Sequence, residues 1–368
     1  MLIIRVIARH ELGGTQLGVL RLTLALARRG IETRVVAGEA TSEAVRHYER
    51  AGIRTDVWGG EVGMQYACSE AFAEWLRPRL GGSDLVHGHM FGGWWAAAAA
   101  ASPELPLVAS EHNALQWPAS PRLAEMRGAL TRVDAFFAHG PATRAVIRRL
   151  GFPAGRIQPG RSPIEVPARW RPRALPSRAR IPTVLFAGRL HEEKGPDMLL
   201  DALPRLRGAV RCVLLGGGPQ EAALRRRVRQ LGLMGSTEMP GWRADVGRWM
   251  EQADLVVVPS RYESWSQTAV TAMAHGVPVV ATNVEGLPTT LADGRGVLVP
   301  PDDPAALAST IDDVLVGARR PDLAAARRYA ERFTAERVAN YYAEIYERLS
   351  RAEPRRPTQT AIPVDRAA

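Results

Sequence analysis

The apolar positions in the first half of the chain form short continuous runs, separated by segments with apolar residues at helical spacing. Leu2–Ala8 is a continuous run, whereas Leu17–Arg29 repeats its apolar residues every three or four positions before Gly30. A continuous run predicts a strand buried on both faces, and the longer repeat predicts an amphipathic helix. Further strands are predicted at Thr33–Ala37, Asp84–His87, Leu107–Ser110 and Phe136–Ala138, and a further helix at Pro141–Leu150.

A segment rich in proline and arginine, Gln158–Arg180, interrupts this alternation and has the composition of a linker. Strands and helices then alternate again, from a strand at Thr183–Ala187 to a last helix at Ala335–Leu349. Such alternation predicts an α/β protein with two tandem Rossmann-like domains, whose ligand lies in the cleft between them. The predicted division is residues 1–165 as first domain, 166–180 as linker, 181–334 as second domain, 335–350 as a final helix and 351–368 as a disordered tail.

Composition adds one feature to this picture. The chain has 48 Lys and Arg against 38 Asp and Glu, a net charge of +10, and Lys194 is its only lysine. The charge favours an anionic partner: nucleic acid, an anionic membrane or a phosphorylated small molecule. We find no signal peptide, no apolar run long enough to span a membrane and no cysteine cluster, since Cys68 and Cys212 stand far apart. A cytoplasmic protein with reduced thiols is therefore expected.

A motif in the second half, GRLHEEKG at residues 188–195, combines a glycine turn with two cations. It follows a predicted strand and leads into a helix. Helix N-termini attract anions through their amide groups, and Arg189 and Lys194 add positive charge at that place. The motif predicts a diphosphate site, although its spacing alone fits two solvated surface cations equally well.

Two glycine turns also stand between a strand and a helix. Gly216 belongs to the run Leu214–Pro219, and Gly14 to the run Gly13–Gln16. Glycine allows a ligand to approach the backbone closely, so both turns are candidates for contact with a nucleotide or a sugar. A plain turn is the favoured alternative for the run around Gly14.

A further loop, from Pro259 to Thr268, carries Glu263 at the end of a predicted strand. Glu263 is placed to hydrogen-bond sugar hydroxyls. The amides at the start of the next helix, around Ser266, Gln267 and Thr268, form a second N-terminus suited to a phosphate.

Histidines end two predicted strands of the first half. His87 and His89 follow one strand, and Glu111-His112-Asn113 follows the next. Imidazoles and a carboxylate are zinc ligands, but no helical His-Glu pair or cysteine cluster accompanies them. A polar role at the floor of the cleft is favoured for His112, and His87 is expected to be half-buried with its hydrogen bonds satisfied.

Taken in order, these segments resemble the retaining glycosyltransferases of family 4, and the resemblance extends from Gly13 to about Tyr346. It implies the GT-B fold, with an acceptor-binding first domain, a nucleotide-sugar-binding second domain and a final helix that crosses back to the first. Four segments carry it: DLVHGH at residues 84–89, residues 139–157 ending in a G-x-x-x-x-x-I pattern, G-R-x-x-x-x-K-G at residues 188–195, and the donor-site helix and strand at residues 263–282.

The resemblance also implies roles for individual residues. Arg189 and Lys194 would neutralise the donor diphosphate, which is the leaving group. His112 would hydrogen-bond the donor sugar near the reacting carbon, and Glu263 would hold sugar hydroxyls. The expected donor-binding residues are Gly14, Gly188, Gly216, Gly241, Trp242, Ser266, Gln267, Thr268 and Thr271.

Thr271 departs from the family pattern, which places a second glutamate eight residues after Glu263. In the family that glutamate accepts hydrogen bonds from the ribose hydroxyls. A threonine side chain is shorter and neutral. We therefore expect weaker ribose binding, or a substitute group, with a UDP-linked donor.

No Asp-x-Asp motif stands in a loop at the end of a strand, so no metal is predicted. The resemblance likewise implies metal-independent transfer with retention, and the nucleotide sugar is a co-substrate rather than a cofactor. The expected acceptor is a small hydroxylated molecule, for example an aminoglycoside-type intermediate of antibiotic biosynthesis. Its pocket is expected near His89, Asn113 and Trp117. Trp94 and Trp95 are further candidates for its lining, but core packing explains them equally well.

Three alternatives remain open at this point. A GT-B hydrolase or epimerase would consume the nucleotide sugar without an acceptor. A glycolipid or cell-envelope transferase would use Arg144, Arg148 and Arg149, on one helix, to bind anionic lipid, although a solvated helix face is favoured. Nucleic-acid binding is suggested only by charge, because the arginines are dispersed and no recognised motif is present. The oligomeric state is not predicted.

Overall fold

The computed structural model describes residues 1–60, 67–112, 120–177 and 180–352. In its first half, parallel strands form a seven-stranded sheet in the order β3-β2-β1-β4-β5-β6-β7 among these residues. Its strands are β1 (Leu2–His10), β2 (Glu32–Ala40), β3 (Thr55–Val57), β4 (Leu85–His89), β5 (Leu107–Glu111), β6 (Ala135–Ala138) and β7 (Ile157–Pro159). The helices between them are α1 (Gly14–Ala27), α2 (Ser42–Arg50), α3 (Glu70–Leu76), α4 (Met90–Ala100), α5 (Ser120–Leu130) and α6 (Pro141–Arg149).

The second half of the described chain forms a six-stranded parallel sheet in the order β10-β9-β8-β11-β12-β13. Its strands are β8 (Thr183–Ala187), β9 (Arg211–Leu215), β10 (Thr237–Gly241), β11 (Leu255–Val258), β12 (Val279–Thr282) and β13 (Val297–Val299). Its helices are α7 (Pro196–Ala202), α8 (Glu221–Gln230), α9 (Val246–Gln252), α10 (Gln267–Ala274), α11 (Leu287–Leu291), α12 (Pro304–Leu315), α13 (Leu323–Ala330) and α14 (Ala335–Arg351). The expected class, α/β with two tandem Rossmann-like domains, is confirmed.

Strand β1 shows why the continuous apolar runs form central strands. It pairs with β2 on one side and β4 on the other. Ile3 and Ile7 cluster with residues of α1, and Ile4 and Val6 cluster with residues of α4, so helices cover both of its faces. Ile3, Ile4, Val6 and Ile7 are almost completely buried. Removing such side chains from water is the main favourable term in folding, which is why this run specifies the middle of a sheet.

Helix α14 crosses back from the second half to the first, as expected. Its buried residues recur at helical spacing and include Val338, Tyr342 and Tyr346. The helix packs against α1, and Arg29 donates to Asn340 Oδ1 at 2.6 Å. The apolar stripe of α14 therefore packs on the first domain, and this helix completes part of that domain's core.

Some local expectations need correction. The glycine turn predicted around Gly14 is the first turn of α1, because Gly13 is already the extended residue that precedes the helix. Polar and short elements such as α2 and β10 were not predicted, since they lack a long apolar run. Within the described residues no helix is both long and apolar enough to cross a bilayer. Of the predicted tail, residues 351–368, Arg351 is the last residue of α14, and residues 353–368 lie outside the described residues.

Candidate functional site

A cleft of about 240 Å³ lies where the carboxyl ends of the two sheets face each other. Ligands of parallel α/β sheets bind at this edge, because loops and helix N-termini converge there. The first domain contributes Glu11, Leu12, Gly13, Gly14, Thr15, Gln16, Met90, His112, His139 and Ser162. The second contributes Phe186, Ala187, Gly188, Arg189, Lys194, Val257, Val258, Ser260, Glu263, Trp265, Ser266, Gln267 and Thr268.

Most of the residues singled out from the sequence meet in this cleft. Nine of them line it: Gly14, His112, Gly188, Arg189, Lys194, Glu263, Ser266, Gln267 and Thr268. The described lining does not include five others: His89, Gly216, Gly241, Trp242 and Thr271. Asn113 and Trp117, expected to contact the acceptor, lie outside the described residues.

Lys194 forms the central ion pair of the cleft. Its Nζ lies 2.8 Å from Glu263 Oε2, and both side chains are largely buried, with 24% and 12% of their surfaces exposed. Ser260 Oγ donates to the same Glu263 oxygen at 3.2 Å. The Glu263 amide donates to Glu285 Oε2 at 2.8 Å, which holds the loop in place. An ammonium group has three donors, so Lys194 keeps hydrogen-bonding capacity for an anion.

Arg189 is held less firmly. Its guanidinium lies 3.2 Å from Glu193 Oε2, four residues along the same loop, and 56% of its side chain is exposed. Exposed pairs of this kind contribute little to stability. The arginine is therefore able to exchange Glu193 for an anionic ligand at small energetic cost.

Helices α1 and α10 begin on opposite walls of the cleft. Helix α1 starts after Gly13 without a side-chain cap, so its first amides have no side-chain acceptor there. On the opposite wall Ser266 Oγ caps α10 by accepting from the Ala269 amide at 3.2 Å. Uncapped helix starts attract phosphate or sugar oxygens, because the positive end of the helix dipole adds to the free donors.

The two walls touch through a hydrogen bond between Gln267 and Gly14. Gln267 Nε2 donates to the Gly14 carbonyl at 2.8 Å. Nearby, a Cβ atom at Gly140 would lie 2.6 Å from the Ser264 carbonyl oxygen, so only glycine permits the approach of the two domains at this place. The cleft is therefore held in a defined geometry at its inner end.

Gly216 and Gly241 support the cleft from behind. Gly216 has φ of +148°, and a Cβ atom there would lie 1.8 Å from the Gly188 carbonyl oxygen. Its amide donates to Gly241 O at 3.0 Å. The glycine turn predicted to approach the nucleotide thus packs against Gly188. Trp242, directly after this contact, and Thr271, on α10 one turn beyond Thr268, are partly exposed.

Behind the first domain's wall, four histidine rings stack in two pairs. The ring centroids of His87 and His89 lie 4.0 Å apart, and those of His112 and His139 lie 3.8 Å apart. His87 Nε2 lies 2.7 Å from Ser110 Oγ, and His89 Nδ1 lies 3.4 Å from His112 Nε2. We call these four residues the histidine stack. It extends from the middle of the sheet to the cleft.

His89 lies inside this stack and not on the surface of the cleft. It is 2% exposed. Arg5 binds its Nε2 at 2.9 Å, and His112 lies next to its Nδ1. Both ring nitrogens are therefore used within the protein, which leaves none for the acceptor contact expected from the sequence. The ring instead supports His112 from behind.

The histidine stack is electrically neutral at physiological pH. Burial, followed by the positive charge of Arg5, lowers the pKa of His112 to about 3. Burial also lowers the pKa values of His87, His89 and His139 well below their usual range. Among the residues that the structure describes, no three His, Cys, Asp or Glu side chains converge as a metal site.

Several cleft or supporting residues were missed at the level of the sequence. Arg5 gave a usable signal, because it is a lone charge inside an apolar strand. His139 follows the end of a strand in the same way as His112 does. Met90 gave no signal in the sequence. Its backbone is left-handed, with φ of +60°, and this conformation is unfavourable for any residue other than glycine.

Comparison with known proteins covers nearly the whole chain. Residues 12–159 match the family model described as Glycosyltransferase Family 4, and residues 181–316 match the one described as Glycosyl transferases group 1. The D-inositol 3-phosphate glycosyltransferase of Xylanimonas cellulosilytica is 31% identical over 94% of each chain. The protein of the same name from Jonesia denitrificans is 38% identical, over 45% of this chain and 42% of its own length.

Solved structures show the same fold at lower sequence identity. HepE of Anabaena, solved in complex with UDP, is 21% identical and has a TM-score of 0.76, covering 95% of this chain and all of its own. Sucrose-phosphate synthase of Thermosynechococcus elongatus is 23% identical and has a TM-score of 0.74, covering 95% of this chain and 98% of its own. The two-domain arrangement is thus shared with proteins of differing sequence.

Proposed function

The chain belongs to the family 4 glycosyltransferases of GT-B fold, and from this premise we propose that it transfers a sugar from a UDP-linked donor to a hydroxyl group of a small acceptor. We further propose that the anomeric configuration is retained and that no metal takes part. The observation that carries the proposal is the Lys194–Glu263 ion pair at 2.8 Å, placed beside Arg189 and between two helix N-termini.

The charges of the cleft match the charge that develops during transfer. As the bond between the anomeric carbon and the donor oxygen breaks, negative charge collects on the diphosphate. Lys194 and Arg189 are placed to stabilise that charge, and the start of α10 adds amide dipoles. Groups already oriented toward a developing charge are the largest single source of rate enhancement in many enzymes.

The acceptor's proton also needs a destination. The two carboxylates that line the described cleft are both paired: Glu11 with Arg9 at 2.6 Å, and Glu263 with Lys194. The nearby imidazoles are neutral and buried. We therefore propose that the departing phosphate oxygen takes the proton while the acceptor oxygen bonds to the anomeric carbon on the face that the diphosphate leaves.

UDP is the proposed nucleotide because the HepE structures of Anabaena hold UDP and UDP-glucose in the same fold. For the acceptor, the relatives named D-inositol 3-phosphate glycosyltransferase favour a polyhydroxylated ring. An aminoglycoside-type intermediate belongs to that chemical class. Histidine and backbone groups of the first domain, rather than charges, would orient it.

The single lysine offers a direct test of the diphosphate site. An amine-selective acylating reagent modifies only Lys194 and the chain's α-amino group, so mass spectrometry reads both positions in one sample. UDP-glucose and UDP are expected to protect Lys194, whereas uridine, which lacks phosphates, is not. The α-amino group serves as the internal control. If Lys194 is acylated to the same extent with UDP and with uridine, the diphosphate does not bind at Lys194.

The reaction itself is tested with a panel of UDP-sugars and cyclitol or aminocyclitol acceptors. We expect a glycoside only when both substrates are present, an α-linked product from an α-linked donor by NMR, and unchanged turnover with EDTA. Consumption of the donor at equal rates with and without acceptor would instead identify a hydrolase or an epimerase.

A further inference from the structure

Arg5 is a charged side chain in the middle of the central strand β1. It is completely buried, and none of the described carboxylates pairs with it. A guanidinium group stays protonated and has only donors, so every group hydrogen-bonded to it must accept. A buried charge without a counter-ion is costly, which implies that its neighbours serve a purpose besides packing.

The acceptors of Arg5 are two rings of the histidine stack and a tyrosine of α14. Nη1 lies 2.9 Å from His89 Nε2 and 3.2 Å from His87 Nδ1, and Nη2 donates to Tyr346 Oη at 3.4 Å. Both contacted ring nitrogens must therefore be unprotonated. Because the rings are neutral, the proton of His89 lies on Nδ1 and the proton of His87 on Nε2, where Ser110 Oγ accepts it at 2.7 Å.

The protonation of His89 in turn determines which ring nitrogen of His112 carries a proton. The protonated Nδ1 of His89 lies 3.4 Å from Nε2 of His112, which must accept. The proton of His112 then resides on Nδ1. No described residue hydrogen-bonds that nitrogen, and the His112 ring lines the cleft.

We propose that Arg5 is a positioning residue, which acts through His89 to fix His112 as the tautomer protonated on Nδ1, so that His112 gives the bound donor sugar a hydrogen-bond donor. The part of this that concerns the sugar rests on the proposed function. The tautomer itself follows from the Arg5 contacts. The other tautomer would present a lone pair to the cleft and would compete for the acceptor's proton.

The tautomer is measurable without substrate. Nitrogen-15 NMR of the full chain, labelled at its eight histidines, distinguishes Nδ1–H from Nε2–H and from the cation, and the His112→Gln variant identifies the His112 signals. We expect Nδ1–H between about pH 6 and pH 8. A proton on Nε2, or a cationic ring, would overturn the proposal.

Two variants test the role of Arg5. Arg5→Met keeps an unbranched apolar stem but removes the guanidinium donors, and we expect mixed tautomers of His112 with kcat lowered about tenfold and a smaller change in KM. His89→Leu leaves Arg5 in place and is expected to release His112 in the same way. Arg34→Met, on the neighbouring strand and partly exposed, is the matched control and should change neither property.

The outcomes separate the two proposals. If the wild-type tautomer is Nδ1–H but no UDP-sugar is turned over, the function proposed above fails and the tautomer assignment stands. If a folded Arg5→Met variant keeps a single Nδ1–H signal for His112, Arg5 does not fix the tautomer. If that variant does not fold, the wild-type spectrum and His89→Leu decide the question.

Discussion

The two sheets meet the same cleft with different chemistry. On the side of the first domain, the strands end in imidazole rings that are stacked, buried and neutral, above a guanidinium with no described carboxylate partner. On the side of the second domain, they end in glycine turns, an exposed arginine, a largely buried lysine and a capped helix start. One wall supplies oriented hydrogen bonds without charge, whereas the other supplies charge held by loops.

This difference suggests a division of tasks. A diphosphate needs cations that adapt to it, and Arg189 and Lys194 stand in pairs that can open. A sugar at its reacting carbon needs a fixed, uncharged surface, because a nearby cation would oppose the positive charge that develops on the ring. The comparison therefore predicts that substitutions on the second wall affect catalysis most, and that acid affects the first wall most.

The largest effect is expected from the cations of the second wall. Arg189→Ala and Lys194→Ala should each lower kcat by about 10²–10³-fold, because each removes a group that stabilises the leaving phosphate. Circular dichroism should show an unchanged fold. Arg211→Ala, which breaks an exposed pair with Glu238 away from the cleft, is the control and should keep wild-type kcat. Wild-type turnover in the folded double variant would refute the phosphate role.

Acid should destabilise the first domain before the second. Burial lowers the pKa of His112 to about 3 and that of His10 to about 4, below the value near 6.5 in the unfolded chain. The unfolded state therefore binds more protons as pH falls below about 6.5. At pH 5 each of these two rings therefore lowers the free energy of unfolding by about 2 kcal/mol.

Hydrogen exchange measures this difference strand by strand. We expect protection of β4 and β5 to fall between about pH 7 and pH 5, while β11 and β12 change less. His275, in the second domain, also has a lowered pKa because of burial, so a small loss is expected there as well. Equal loss in both sheets would contradict the contrast between the walls.

Thr271→Glu should strengthen donor binding. The substitution restores the carboxylate that resemblance to the family places at this position, on α10 beside the cleft. A charged hydrogen bond to ribose hydroxyls would lower KM for the UDP-sugar about tenfold, with kcat little changed. Thr271→Gln, which has similar length and no charge, is the control. A higher KM for the glutamate variant would show that the ribose lies elsewhere.

The smallest effect concerns the contact between the walls. Gln267→Leu removes the hydrogen bond to the Gly14 carbonyl, which contributes about 1 kcal/mol. We expect KM for the donor to rise about fivefold, because the closed cleft is populated less. Gln230→Leu, on the last turn of α8 and exposed, is the matched control. Identical KM values in the two variants would show that Gln267 does not contribute to donor binding.

The sequence predicted those features that depend on neighbouring residues. Strand β8 was placed at its observed bounds, because a continuous apolar run needs no distant partner to be recognised. The motif at residues 188–195 likewise contains both of its cations. The glycine pair at the start of α1 was predicted as a turn, since the same residues suit a turn and an uncapped helix start.

The histidine stack could not be predicted in the same way. Arg5 and Tyr346 are 341 positions apart. His87 and Ser110 meet only because β4 pairs with β5 in one particular register. The state of each ring depends on what Arg5 touches, and that follows from the assembled sheet. The left-handed backbone of Met90 lies at the start of α4, which packs on β1 and β4, and no local sequence signal announces it.

Helix α14 has a consequence for the exchange of parts between related proteins. Tyr346 Oη lies 2.6 Å from His87 Nδ1, so α14 belongs to the hydrogen-bond network of the first domain although it follows the second along the chain. A chimera joined only at the linker would pair one parent's histidines with the other parent's tyrosine. A functional chimera needs two junctions, with residues 335–352 taken from the parent that supplies the first domain.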